Sequence, residues 1–226
     1  MKNRGFMAIV AVTVLAAVFA GDAYAWGPRA QRAITGTSIQ VVQRSIQDAY
    51  ATPSTSYEQD VIKGAMAGPS TLRDAVGLSS ENRVMHRIAS EMLLLHYARN
   101  YSTGSYYAYR MGVLSSLVSD LYLPFALDTS VDARKLAAKV SEDIDEHVEE
   151  FTYIPLRKDP VIIRELRRYL GESRTYLPDA ALLVSVDYAR GKGYDGYLGQ
   201  GGAQNAFSHA VQAVSDIAYT VLQTEE

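Results

Sequence analysis

Between residues 106 and 127, apolar side chains recur every three or four positions: Leu114, Leu117, Val118, Leu121 and Phe125. A period of about 3.6 residues places them on one face of an α-helix. Apolar residues also fill the intervening positions, so this helix must be buried on most sides and needs other helices around it. Punctuation for such neighbours runs along the chain. Ser56, followed three residues later by Gln59, has the form of a capping box. Asp159 and Pro160 offer a cap and a first helical residue, with Gly171 to stop that helix. Within it Val161, Ile162, Leu166 and Tyr169 recur at helical spacing. Pro178 opens a further helix that ends at Gly191. The resulting expectation is helices near 28–50, 57–67, 81–100, 105–127, 131–151, 160–170, 178–190 and 203–223, with no strand pair. That is an all-α fold, a single-domain multi-helix bundle.

Composition agrees with a folded chain and excludes several chemistries. Of the 226 residues, 48% are hydrophobic and 21% charged, which is globular rather than disordered or fibrous. There is no cysteine, so disulfides and thiolate metal sites are excluded. Any metal must sit on His, Asp, Glu or main chain. A net charge of -3 argues against a broad polyanion-binding surface, and no stable nucleic-acid binding is expected. The run GKGYDGYLGQGG at 191–202 lacks the order of a phosphate-binding loop, which sets Lys after the second glycine and then Ser or Thr. It reads as a flexible loop.

The first segment has the order of a secretory signal peptide. Lys2 and Arg4 precede an apolar run over residues 6–20, and Ala23-Tyr24-Ala25 supplies small residues for a peptidase. About 15 apolar residues fall short of the roughly 20 that span a bilayer, so a membrane anchor is the weaker reading. Residues 1–25 are expected to be removed and residues 26–226 to form the exported domain, periplasmic or secreted, with Trp26 at its start.

Residues able to carry chemistry are few. The histidines are His86, His96, His147 and His209. His86 and His96 lie nearly three helical turns apart, too far to share an ion. His147 stands in an acidic run with Glu142, Asp143, Asp145, Glu146, Glu149 and Glu150, which has the character of a solvated helix face. No G-x-S-x-G elbow is present, which disfavours a serine hydrolase. The bunched Tyr106, Tyr107 and Tyr109 suit either an amphipathic groove or core packing. Asp120 is the anomaly, a carboxylate in the middle of the most apolar helix. A buried carboxylate must be hydrogen-bonded, paired or metal-bound, and an internal bond to a Tyr hydroxyl or a helix N-terminus is the plainest solution.

Trp26-Gly27-Pro28-Arg29-Ala30-Gln31 behind the leader, and the stretch from Ala108 through Asp120 followed by Leu123-Pro124-Phe125, together resemble the zinc-dependent phospholipase C and single-strand-specific nuclease superfamily. In that family the mature N-terminal Trp chelates zinc through its amino nitrogen and carbonyl oxygen. Side chains of His, Asp and Glu complete a three-zinc cluster that activates water and clamps the phosphate. The resemblance implies an all-α fold, phosphodiester hydrolysis, a phospholipid or other phosphodiester as substrate, and zinc.

It also implies ligands that this chain lacks. A family His four residues before the Asp falls on Ser116, another six after it on Ala126, and the first-helix His on Gln31. The segment Glu142-Asp143-Ile144-Asp145-Glu146-His147-Val148 resembles the family's acidic run, yet the ligand pair upstream falls on Ala137 and Ser141. Asp60 and His86 match two further family positions loosely. The metal ligands expected are therefore Trp26, Asp60, His86 and Asp120, enough for one ion at most. On this reading zinc occupancy is partial and hydrolysis weakened or lost. The alternative is a non-enzymatic helical lipid- or protein-binding module of the cell envelope.

Overall fold

A computed structural model of the chain describes residues 26–45, 55–68, 81–101, 104–128 and 130–223. Among them the regular structure is entirely helical. The α-helices are α1 (Pro28–Ser45), α2 (Thr55–Ala67), α3 (Glu81–Ala98), α4 (Ser105–Ser119), α5 (Val131–His147), α6 (Leu166–Ser173), α7 (Leu177–Ala189) and α8 (Ala203–Leu222). The expected leader lies outside the described residues.

α4 and α8 form the centre. α4 buries Val113, Leu114, Leu117 and Val118, and α8 buries Phe207, Val211, Val214 and Ile217. α4 ends at Ser119, earlier than its apolar pattern implied, and passes through a 3-10 turn at Asp120–Tyr122. Asp120 is thus the C-cap of α4 and not a mid-helix residue. α2 crosses α4 at very short range. A Cβ at Gly64 would overlap the Tyr109 carbonyl, and one at Gly112 would overlap the Val61 carbonyl. Two glycines facing two carbonyls let the backbones touch. α1 packs on α8, where the Ser38 hydroxyl donates to the carbonyls of Ile34 and Val211 at 2.8 and 3.2 Å.

Several local expectations are corrected. α2 begins at Thr55, so Ser56 lies inside the helix and is not its cap. Residues 151–165 hold no helix; the helix there is α6, from Leu166 to Ser173, and it runs through Gly171. The segment 151–163 lies instead along α8 and bonds to its side chains. Thr152 N–H donates to Gln204 at 3.0 Å, Ile154 N–H to Ser208 at 3.2 Å, Val161 N–H to Asp216 at 3.0 Å and Ile163 N–H to Thr220 at 2.9 Å. Gln204, Ser208, Gln212, Asp216 and Thr220 recur every four residues, one stripe of a helix. That stripe serves the extended segment as a strand would.

The glycine-rich run is also more structured than a flexible loop. It makes a 3-10 turn at Gly193–Asp195, kinks through Gln200 and Gly201 on its way into α8, and buries Leu198. Gly191, with φ of +75°, closes α7, and Lys192 N–H reaches back to the Asp187 carbonyl at 2.9 Å. This is the left-handed stop that glycine favours.

Candidate functional site

The site is built where the described chain begins. Asp145 on α5 accepts from Ala30 N–H at 2.7 Å and so caps the first turn of α1. Its carboxyl lies where a Cβ on residue 27 would fall, which explains glycine at that position. Arg29 donates to the Asp145 carbonyl at 3.2 Å and pairs with Glu149 at 3.0 Å. The acidic run is therefore only partly a solvated face. Asp143 accepts from the Tyr188 hydroxyl, and His147 stacks on Tyr194 with ring centroids 3.8 Å apart.

Held this way, Trp26 is driven into the core with 1% of its surface exposed. Its indole N–H donates to the Ser119 carbonyl at 2.8 Å, and its main-chain N–H donates to the Asp120 carboxylate. Burial disfavours the charged carboxylate and pushes the Asp120 pKa up to about 7, while the Trp26 N–H pulls it back down. The negative end of α4, which Asp120 terminates, is likewise a poor place for an anion.

Around this pair lies a neutral network. The Ser119 hydroxyl donates to the Gln31 side-chain oxygen at 2.9 Å, and the Gln31 amide donates to Thr35 at 3.2 Å. Thr35 bonds in turn to Ser115 at 2.9 Å. Ser116 turns its hydroxyl back to the Val113 carbonyl at 3.3 Å. Gln31, Thr35, Ser115, Ser116 and Ser119 are all buried, so both amide ends of Gln31 are committed inside the protein. Ser141 is buried on α5, with Ala137 one turn before it.

The other expected ligands are elsewhere. Asp60 accepts from Ser105 at the opposite end of α4 and from Lys63 at 3.3 Å, and the Ser105 bond foremost lowers its pKa. Ser105 and Ser119 are the two ends of the 15-residue helix α4, about 21 Å apart at 1.5 Å per residue. His86 is exposed on α3. The structure thus brings Trp26 and Asp120 together and leaves Asp60 and His86 apart from them. Among the described residues no group of three or more His, Asp or Glu could hold a metal. Zinc takes four ligands as a rule. The Trp26 main chain and one carboxylate, beside Gln31 and Ser116 already bonded, do not fit a zinc cluster.

Two buried acids were passed over in the sequence. Glu91 on α3 is 1% exposed and pairs with Arg87 at 3.2 Å and with Arg110. Asp216 on α8 is fully buried and accepts from Arg157, the Tyr169 hydroxyl, Val161 N–H and Gln212. Each interrupts an apolar helical stretch as Asp120 interrupts its own, and that signal would have found them. The bunched tyrosines diverge: Tyr106 is exposed, Tyr107 buried and Tyr109 half-buried, so they do not line one groove. His209 packs between Tyr176 and Tyr122, and burial lowers its pKa. Comparison of the chain with known protein families, with curated proteins and with solved structures gives no match.

Proposed function

We propose that residues 26–226 form an exported, non-catalytic helical binding protein. It keeps the layout of the zinc-dependent phospholipase C and nuclease superfamily and has lost phosphodiester hydrolysis. The observation that carries this reading is the closed seam of Gln31, Thr35, Ser115 and Ser119 beside Trp26 and Asp120. Neutral side chains that already satisfy one another leave no donors to gather metal ions or to activate water. Large apolar side chains left in solvent, among them Leu93, Leu94, Tyr97 and Tyr101, support a protein that binds a lipid or another protein.

The rival reading keeps a single ion between the Trp26 main chain and Asp120, with residual phosphodiesterase activity. Their adjacency favours it. Elemental analysis of purified protein beginning at Trp26, with hydrolysis of a chromogenic phosphodiester measured with and without added zinc, separates the two. The expected result is well under one zinc per chain and no zinc-dependent turnover. About three zinc equivalents with turnover, the signature of a multinuclear hydrolase, overturns the reading. One equivalent with slow turnover establishes the rival.

A further inference from the structure

One face of α3 is basic at its start and apolar at its end, and it is left in solvent. Arg83, Arg87, Leu94, Tyr97 and Tyr101 recur at helical spacing along it, with Leu93 beside Leu94. Leu93, Leu94, Tyr97 and Tyr101 are 58, 59, 62 and 89% exposed. A folded protein rarely leaves so much apolar surface in one stripe unless something binds there. We propose that this face docks on an anionic phospholipid surface, its leucines and tyrosines entering the headgroup layer and its arginines meeting lipid phosphates. The inference rests on the binding reading above, for which it names the ligand.

Charge selects that ligand. From Asn82 to Arg110 the sequence carries four arginines, Arg83, Arg87, Arg99 and Arg110, against one acid, Glu91, a net of +3 in a chain whose total is -3. The one acid does not face outward. Glu91 is buried and held by both Arg87, at 3.2 Å, and Arg110, whose side chains stay 31% and 22% exposed. One inward carboxylate shared by two guanidiniums leaves the outer potential positive. Guanidinium is also the side-chain cation best matched to a phosphate. Arg110 lies over the exposed Tyr106 ring, 5.8 Å from its centroid, so α4 adds a cation and an aromatic ring together.

The apolar half suits the same boundary. Tyrosine has an apolar body and a polar tip, which favours the layer between acyl chains and water. A helix lying in that layer is held by its buried apolar area and by attraction to anionic lipid together. No helix among the described residues is long and apolar enough to cross a membrane, so the described helices offer a surface contact. A second copy fits less well, because a two-fold pairing through this face would set Arg87 and Arg110 against their own copies.

The test sediments protein beginning at Trp26, in EDTA, with vesicles of phosphatidylcholine alone and of phosphatidylcholine mixed equally with phosphatidylglycerol. Starting at Trp26 keeps the apolar run at 6–20 out of the measurement. Binding to the mixed vesicles should be at least roughly tenfold tighter, and high salt should remove most of that preference. Leu93→Ser with Leu94→Ser should weaken it at least about tenfold. Leu182→Ser with Leu183→Ser, at exposed positions on α7, should leave it unchanged. Tyr97→Trp gives a local signal: its emission should move to shorter wavelength on the mixed vesicles and be quenched by brominated acyl chains, while the buried Trp26 does not respond.

Equal affinity for the two kinds of vesicle overturns the proposal, as does an unchanged affinity in the Leu93→Ser, Leu94→Ser protein. A dimer formed without vesicles, and made monomeric by that same pair of substitutions, assigns the face to a second copy and also overturns it. The zinc and turnover measurements judge the non-catalytic reading separately. Zinc-dependent turnover would sink that reading and leave the α3 face to the vesicles, whereas protein that ignores vesicles and lacks turnover sinks the lipid alone.

Discussion

The main-chain N–H of Trp26 donates to the carboxylate of Asp120, while the Trp26 indole donates to the carbonyl of the preceding residue, Ser119. One side chain and its own backbone thus clasp the end of α4 from both sides.

With the peptide bond before Trp26 intact, this geometry sets a direction for pH dependence. The unfolded Asp120 carboxyl titrates near its ordinary value of about 3.9, and the folded one near about 7. Between those values the folded chain holds a proton that the unfolded chain has released. Stability from this group is therefore fully present below the lower value and is lost as pH rises to about 7. Asp120→Asn should remove a negative slope of at most about 1.4 kcal/mol per pH unit between those limits. Urea midpoints from pH 4 to 8 in the leader-retaining protein check it, and parallel curves for the two proteins contradict it.

Gly27 and Asp145 make a second, independent contact at the same end. Gly27→Ala would press a methyl group into the Asp145 carboxyl and displace the cap on Ala30. The expected loss is about 1–3 kcal/mol, the range for overpacking. Asp145→Ala removes the cap alone, with a loss of about 1 kcal/mol. Because the two residues touch, the double variant should fall short of the sum. Chemical denaturation of the four proteins measures the coupling, and strict additivity would show that the contact does not matter.

The crossing of α2 and α4 is set by Gly64 and Gly112, each facing a carbonyl of the other helix. Neither carbonyl can move without breaking its own helix, so alanine at either position must push the helices apart. Gly112→Ala is expected to cost on the order of 3 kcal/mol. Gly171→Ala is the control. It lies within α6 with nothing within 4 Å of an added Cβ, and should gain up to about 1 kcal/mol from helix propensity alone. Thermal melts of the two variants should move in opposite directions.

The central helices were legible because their apolar period is dense and long. Leu114, Leu117 and Val118 admit no other reading, and all three are buried. Asp120 stood out by chemistry, since an acid in that setting must have a partner. The partner itself was hidden: an N–H of Trp26, 94 positions away in the chain, carries no side-chain signature. Residues 160–170 misled because Val161, Ile162, Leu166 and Tyr169 copy a helical period. What overrode it was the α8 stripe, whose Gln204, Ser208, Asp216 and Thr220 accept from the backbone of an extended segment while Gln212 accepts from the Tyr153 hydroxyl. A polar residue at every fourth position of an apolar helix was the available sign. Gln31 could be recognised as standing at a ligand position, yet its bond to Ser119 required the packing of α1 on α4.

That stripe yields the last prediction. Asp216 holds the Val161 N–H, the Tyr169 hydroxyl, the Gln212 amide and the Arg157 guanidinium at a fully buried carboxylate. Asp216→Ala would orphan three of these donors in the interior, whereas Arg157, 39% exposed, can turn to water. At about 1–3 kcal/mol for an unsatisfied buried group, with partial relief by repacking, the loss should be on the order of 3 kcal/mol. The effect should also be local. Amide exchange at Val161 and Ile163 should accelerate far more than at Val113 or Leu117 in α4, because these two amides donate to the α8 side chains Asp216 and Thr220 while α4 keeps its own helical bonds. Arg157→Ala should leave those amides nearly as protected as in the parent, since the carboxylate keeps its remaining donors. Hydrogen exchange resolved by residue reads both variants. Uniform acceleration across α4 and 151–163 in Asp216→Ala would mean that the stripe holds the whole fold and not this segment alone.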